Sequence, residues 1–86
     1  MIKELFKLID KIEKQRQFDV CRTTETAFRE MIDPLFEDYK GRRTSECAKR
    51  ICASIEDLAY VGRIALAREY LEEFKKAIDY NPPNQN

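Results

Sequence analysis

Apolar residues recur every three or four positions along most of this chain, with charged residues between them. The longest stretch of this kind lies between Thr44 and Tyr80, and it holds no proline and a single glycine, Gly62. Positions three and four apart fall on one face of a helix, so the spacing predicts amphipathic helices. We therefore expect an all-α fold, a small bundle of three helices in which the third is long.

The apolar positions of this third helix form two sets that are out of phase with each other. The first set is Ile51, Ile55 and Leu58, and the second is Ile64, Ala67, Leu71, Phe74 and Ile78. The change of phase falls beside Gly62, which leaves two interpretations. The helix breaks near residues 60–62 and the bundle has four helices, or it runs through Gly62 and another helix crosses closely there. No second turn-forming residue accompanies Gly62, which favours the unbroken helix.

Two shorter helices precede it. The first is predicted from Ile2 to about Arg16, with its apolar positions on one face and most of its charges opposite. The apolar face of the second consists of Ala27, Phe28, Met31, Ile32, Leu35, Phe36 and Tyr39. Pro34 falls inside this face and would either kink the helix or mark a restart at Asp33. The apolar stripe keeps its phase across Pro34, so we favour a kinked but continuous helix.

Residues with capping preferences mark the helix ends. Gly41 has the features of a left-handed C-terminal cap for the second helix. Thr44 or Ser45 would cap the start of the third helix, because their hydroxyls accept hydrogen bonds from free backbone N–H groups. The candidates for the cap of the second helix are Asp19, Thr23 and Thr24.

Length and charge set limits on the class of protein. Eighty-six residues make one domain, which we place at residues 1–80, followed by a polar tail at residues 81–86. Sixteen basic and sixteen acidic residues cancel, whereas general nucleic-acid and membrane-surface binders usually carry a basic excess. A net charge of zero also permits self-association, because copies of the chain do not repel one another.

The sequence contains few residues suited to catalysis or to binding a metal or cofactor. The chain has no histidine and no glycine-rich loop, so we predict neither an enzyme nor a cofactor or metal site. The cysteines are Cys21, Cys47 and Cys52, an odd number without a CxxC pair, which argues against a disulfide framework or a zinc site. Cys47 and Cys52 lie among apolar residues, which predicts buried thiols. No apolar run has the length of a signal peptide or a membrane span, which favours the cytoplasm.

One turn resembles an anion-binding site. Basic and hydroxyl side chains surround the predicted start of the third helix, where free backbone N–H groups favour negative charge. The residues are Arg42, Arg43, Thr44, Ser45, Lys49 and Arg50. They could hold a phosphate group, or they could simply form a capped and soluble turn.

The apolar stripe of the third helix extends past what two short helices would cover. We therefore predict an oligomer or partner interface along it, formed by Ile55, Leu58, Tyr60, Ile64, Ala67, Leu71, Phe74 and Ile78. The function that follows is a non-enzymatic regulator, adaptor or inhibitor, of a kind common among phage proteins, that binds another protein as a homo-oligomer. The alternative is an oligomer that sequesters a phosphate-bearing small molecule or nucleotide at the basic turn.

Overall fold

The computed structural model describes residues 2–15 and 25–80, and 93% of these residues are helical, with no strand among them. The helices are α1 (Ile2–Gln15), α2 (Glu25–Arg42), α3 (Ser45–Tyr60) and α4 (Ile64–Tyr80). The predicted all-α class is confirmed, but the predicted count of three helices is wrong. The capping candidates Asp19, Thr23 and Thr24, the thiol of Cys21 and the polar tail lie outside the described residues.

The long third helix is divided at Gly62. The backbone N–H of Gly62 donates to the Ala59 carbonyl (3.1 Å), and that of Arg63 donates to the Leu58 carbonyl (2.9 Å). This pair of hydrogen bonds is the Schellman motif, which needs one residue with positive φ after the helix. Gly62 supplies it, with φ at 88°. A single glycine is therefore enough to end α3, and the expectation that a turn needs a second breaker was mistaken.

The predicted continuity of α2 is confirmed, because the helix passes through Pro34 without a break. The predicted cap at Gly41 is wrong, since α2 includes Gly41 and ends at Arg42. The left-handed conformation falls on Arg43, with φ at 50°. The Arg43 N–H donates to the Tyr39 carbonyl (2.8 Å), which closes the helix with the hydrogen bond of an αL cap.

Helices α3 and α4 form the centre of the fold. They pack against each other, α1 and α2 each contact both of them, and α1 and α2 do not touch one another within the described residues. The core is a single cluster with contributions from all four helices. Its largest fully buried side chains are Tyr39, Tyr70, Phe74, Ile9, Ile32, Ile51, Ile55, Leu58 and Leu71.

The apolar face predicted for α2 is only partly buried. Ile32, Phe36 and Tyr39 lie in the core, but Ala27 is exposed and Met31 is 65% exposed. These two residues lie to one side of the buried strip, and none of the described helices covers that side of α2. The predicted face is therefore wider than the surface that α3 and α4 bury.

Candidate functional site

The predicted interface residues lie mostly in the protein's own core. Ile55, Leu58, Ala67, Leu71 and Phe74 are fully buried, and Ile64 is nearly so. The turn at Gly62 folds α4 back on α3, so each helix covers the stripe of the other. These residues therefore do not form the exposed apolar stripe from which an oligomer was predicted. A homo-oligomer stays a prediction, and it would need a different surface. Of the remaining two residues, Ile78 is half-buried and Tyr60 is 59% exposed.

The basic turn has the predicted cap at its centre. Thr44 is the N-cap of α3, and its hydroxyl oxygen accepts a hydrogen bond from the Cys47 N–H (3.2 Å). That bond occupies one of the N–H groups that a phosphate would otherwise contact. Arg42 and Ser45 are exposed, and Arg43 is half-buried.

The cations that follow the turn do not converge. Lys49 and Arg50 are both exposed, and as consecutive helical residues they point about 100° apart. Glu46 is also exposed and lies one helical turn before both of them, which places a carboxylate on the same face. The structure thus forms the predicted Thr44 cap, but Lys49 and Arg50 point in different directions. Phosphate binding at this turn stays a prediction.

A more developed feature is the groove between α2 and α4, which sequence analysis missed. Short turns reverse the chain between α2 and α3 and again between α3 and α4, so α2 and α4 run parallel. The two helices enclose an open cavity of about 560 Å³. We call it the α2–α4 groove, and its lining residues are Asp33, Phe36, Glu37, Lys40, Glu73, Lys76 and Ala77.

Polar contacts join the helices at one end of this groove. The Arg29 guanidinium forms two hydrogen bonds with the Glu69 carboxylate (2.7 and 3.1 Å) and lies over the Tyr70 ring at 5.7 Å. The Tyr70 hydroxyl donates to Asp33 Oδ1 at 2.7 Å. The hydrogen bond from Arg29 lowers the pKa of Glu69, so this carboxylate stays charged and holds α4 to α2. This end of the groove is closed.

The floor of the groove is apolar and firmly packed. Phe36 is 8% exposed, and its ring stacks on Tyr70 (centroids 5.5 Å apart) and meets the edge of Phe74 (6.4 Å). Tyr39 also packs edge-on against Phe74 (6.2 Å). Ala77, half-buried on α4, completes the floor and leaves space above it because its side chain is small. The floor is therefore formed before any ligand arrives.

Acidic and basic side chains follow a fixed order along the rims of the groove. Asp33 and Glu37 on α2 precede Lys40, and Glu73 on α4 precedes Lys76. Because α2 and α4 are parallel, their acidic positions lie side by side, and their basic positions lie together further along. The Lys40 ammonium is 3.5 Å from the Glu37 carboxylate, but both side chains are about three-quarters exposed, so this pair neutralises little of the pattern. The groove has an acidic end and a basic end.

The sequence carried part of this signal. Asp33, Glu37 and Lys40 follow the spacing of one helical face, and so do Glu73, Lys76 and Ala77. What it did not reveal is that the two faces adjoin, because this depends on the reversal of the chain at Gly62. An unbroken third helix would have carried α4 away from α2.

Comparison with protein-family models, with curated proteins and with solved structures gave no match to this chain. None of the helices in residues 2–15 and 25–80 is long and apolar enough to cross a membrane. In the same residues, no group of three or more cysteine, aspartate or glutamate side chains is placed to hold a metal ion.

Proposed function

We propose that this protein is a non-enzymatic regulator, adaptor or inhibitor that acts by binding another polypeptide chain at the α2–α4 groove. The observation that carries the proposal is the groove's composition, an apolar floor of Phe36 and Ala77 between two rims that each carry both acidic and basic side chains. Protein interfaces have this anatomy, with a desolvated apolar centre and a polar rim that remains in contact with water.

The rigidity of the floor also suits binding. A partner that docks on Phe36 meets a ring already held by Tyr70 and Phe74. Little conformational entropy is then lost on the protein's side, so more of the contact energy is retained as affinity. A groove between two parallel helices is filled best by a further helical surface, whose side chains can pack between the two rims.

The absence of histidine agrees with a function based on contact rather than catalysis. The lysines and carboxylates of the rim are exposed to water, where they suit recognition and orientation of a partner. A small molecule would be bound more loosely here, because the groove is open and would leave much of its surface in water.

Blocking the floor tests this proposal. In Ala77→Arg, a long side chain would occupy the groove while its charged end reaches water, so the fold should be retained. The tagged protein is cross-linked in a lysate of its source cells, and the linked proteins are identified by mass spectrometry. We expect specific products with the natural protein and their loss with Ala77→Arg.

A matched control is Lys49→Glu, which alters an exposed position on α3 away from the groove. It should give the same cross-linked products as the natural protein. Thermal melts of all three proteins establish that each is folded. Products that persist undiminished in folded Ala77→Arg would overturn the groove as the binding surface.

A further inference from the structure

The order of charges along the groove restricts which surfaces are complementary to it. On each helix the acidic position precedes the basic one by a single turn: Glu37 before Lys40 on α2, and Glu73 before Lys76 on α4. Since the helices are parallel, both rims carry the charges in the same order. The groove therefore has a polarity, and a surface complementary to it must carry the opposite order.

We infer that the occupant of the α2–α4 groove is a second copy of this chain, docked through its own groove face in an antiparallel, two-fold arrangement. This inference rests on the proposed function, because it takes the groove to be a protein-binding surface. A two-fold axis across the groove reverses the direction of the second copy's helices. The reversed copy presents the opposite order of charges, so the surface is complementary to itself.

The charged residues of the two protomers pair across this axis. With the axis between Glu37 and Lys40 on one rim and between Glu73 and Lys76 on the other, each lysine of one protomer faces a glutamate of its partner. The apolar floors, including Ala77, then face each other across the joined grooves, with the charged rims between them and the surrounding water. Both protomers contribute the same patch, as a two-fold interface requires.

The same charges select against the other orientation. If two copies docked with parallel helices, the lysines would meet lysines and the glutamates would meet glutamates, which is unfavourable. The net charge of zero means that no overall repulsion opposes the antiparallel approach. The rim charges are exposed, so they determine the orientation of the dimer and make it sensitive to salt.

Two charge-reversal variants test this geometry. Lys40→Glu/Lys76→Glu makes the groove uniformly acidic, and Glu37→Lys/Glu73→Lys makes it nearly all basic. Asp33 is left unchanged because it accepts the Tyr70 hydrogen bond. Masses are measured by size-exclusion chromatography with light scattering at micromolar concentration and low salt. We expect twice the monomer mass for the natural protein and the monomer mass for each variant alone.

The decisive measurement is an equimolar mixture of the two variants. It should recover twice the monomer mass, with one copy of each variant in the complex, because an acidic groove then faces a basic one. Lys49→Glu/Arg50→Glu is the control, since it changes the net charge as much as the acidic-groove variant does but on the exposed face of α3. This control should remain dimeric.

Three results would overturn the inference. In the first, the natural protein is monomeric under these conditions. In the second, each charge variant alone remains dimeric. In the third, the natural protein dimerises but the mixture of the two variants stays monomeric. The first result leaves the proposed function standing if Ala77→Arg still abolishes cross-links to another protein in lysate. If the natural protein is monomeric and Ala77→Arg keeps all of its cross-links, both proposals are overturned.

Discussion

The Tyr70 hydroxyl donates a 2.7 Å hydrogen bond to the Asp33 carboxylate and so joins α4 to α2 at the closed end of the groove. The Tyr70 side chain is 1% exposed, whereas Asp33 faces water. Burial of the hydroxyl, and then its hydrogen bond to Asp33, raise the pKa of Tyr70 well above the usual range. The folded protein therefore favours the protonated, neutral phenol.

Stability should fall at high pH for this reason. An unfolded tyrosine loses its proton near pH 10, while folded Tyr70 keeps it to a higher pH. The contribution of Tyr70 is complete below pH 10 and is lost as the pH rises toward its raised pKa, because the unfolded chain then binds fewer protons. Urea unfolding between pH 8 and 11 should show a decline that is shallower in Tyr70→Phe.

The same variant should be less stable at neutral pH by about 1.5 kcal/mol, the lower end for a hydrogen bond to a charged group, because Asp33 can turn to water. Tyr60→Phe is the matched control, since Tyr60 is 59% exposed, and it should change stability little at neutral pH. Tyr39, whose pKa burial also raises, remains in both variants and preserves part of the alkaline decline. Equal slopes for Tyr70→Phe and the natural protein would contradict the assignment.

The two glycines should respond oppositely to substitution by alanine. Gly62 has φ at 88°, where an L side chain is strained, so Gly62→Ala should destabilise the protein by about 1–2 kcal/mol. Gly41 lies inside α2 with no atom within 4 Å of where a Cβ would stand. Gly41→Ala should therefore stabilise the protein by up to about 1 kcal/mol.

Thermal melts under reducing conditions measure both changes. Gly62→Asn is a useful third variant, because asparagine tolerates positive φ better than alanine and should recover part of the lost stability. A stabilising Gly62→Ala would mean that α3 and α4 join into one helix in solution. In that case the parallel pairing of α2 with α4, and the groove with it, would also be lost.

The local sequence determines only part of this fold. Thr44 as a cap and the buried Cys47 and Cys52 follow from local chemistry, and the structure confirms them. The break at Gly62 did not follow, because an isolated glycine is compatible with a helix and with a Schellman turn, and packing of α4 on α3 decides between them. The spacing of apolar residues determines where the helices form, whereas the turn at Gly62 determines which helices are neighbours.

The groove was missed for the same reason. Glu37 and Glu73 are 36 positions apart, and each is an ordinary exposed residue of its own helix. Their relation appears only after α2 and α4 are known to be parallel neighbours. The predicted basic turn shows the converse limit, since Lys49 and Arg50 adjoin in sequence but diverge around the helix axis.

The ion pair between Arg29 and Glu69 should contribute modestly. Both groups are partly exposed, with 35% and 51% of their side chains accessible, so water weakens the attraction. A double-mutant cycle with Arg29→Ala and Glu69→Ala should give a coupling of about 0.2–1 kcal/mol, smaller at high salt. Arg29→Ala alone should be more costly than Glu69→Ala, because it also removes the guanidinium from the Tyr70 ring.

Chemical denaturation of the four proteins at low and high salt gives the coupling directly. The control pair is Glu37 and Lys40, one turn apart on α2 and about three-quarters exposed. Its coupling should be smaller than that of Arg29 and Glu69, because a single 3.5 Å contact lacks the two-point geometry. A larger coupling for the control pair would contradict this ranking.

The two cysteines of α3 should resist alkylation in the folded protein. Cys47 is 4% and Cys52 is 9% exposed. Burial raises the pKa of the Cys52 thiol, and the nearby Glu56 carboxylate adds to the effect, so less reactive thiolate is present. Iodoacetamide at pH 8 should modify both at least about tenfold more slowly than in urea, as read by peptide mass spectrometry for each cysteine. Equal rates in the two conditions would contradict their burial.

The basic turn should not bind phosphate, the activity that competes with groove binding as an explanation of function. Calorimetric titration with inorganic phosphate and with mono-, di- and cyclic nucleotides should give no saturable heat. Thr44 already accepts the Cys47 N–H, and Glu46 shares the exposed face with Lys49 and Arg50. An anion would then meet fewer free donors than at an uncapped helix start.

The comparison variant is Arg42→Ala/Arg43→Ala, which keeps the Thr44 cap and should change stability by within about 0.5 kcal/mol. Had the turn bound phosphate, loss of two charge-assisted contacts would weaken binding by about 1.5–3 kcal/mol each, far more than it changes folding. A saturable heat in the natural protein that vanishes in this variant and weakens with salt would place the phosphate hypothesis above the groove. A heat unchanged by the variant would direct the search to other cations, because it would show binding in which neither Arg42 nor Arg43 takes part.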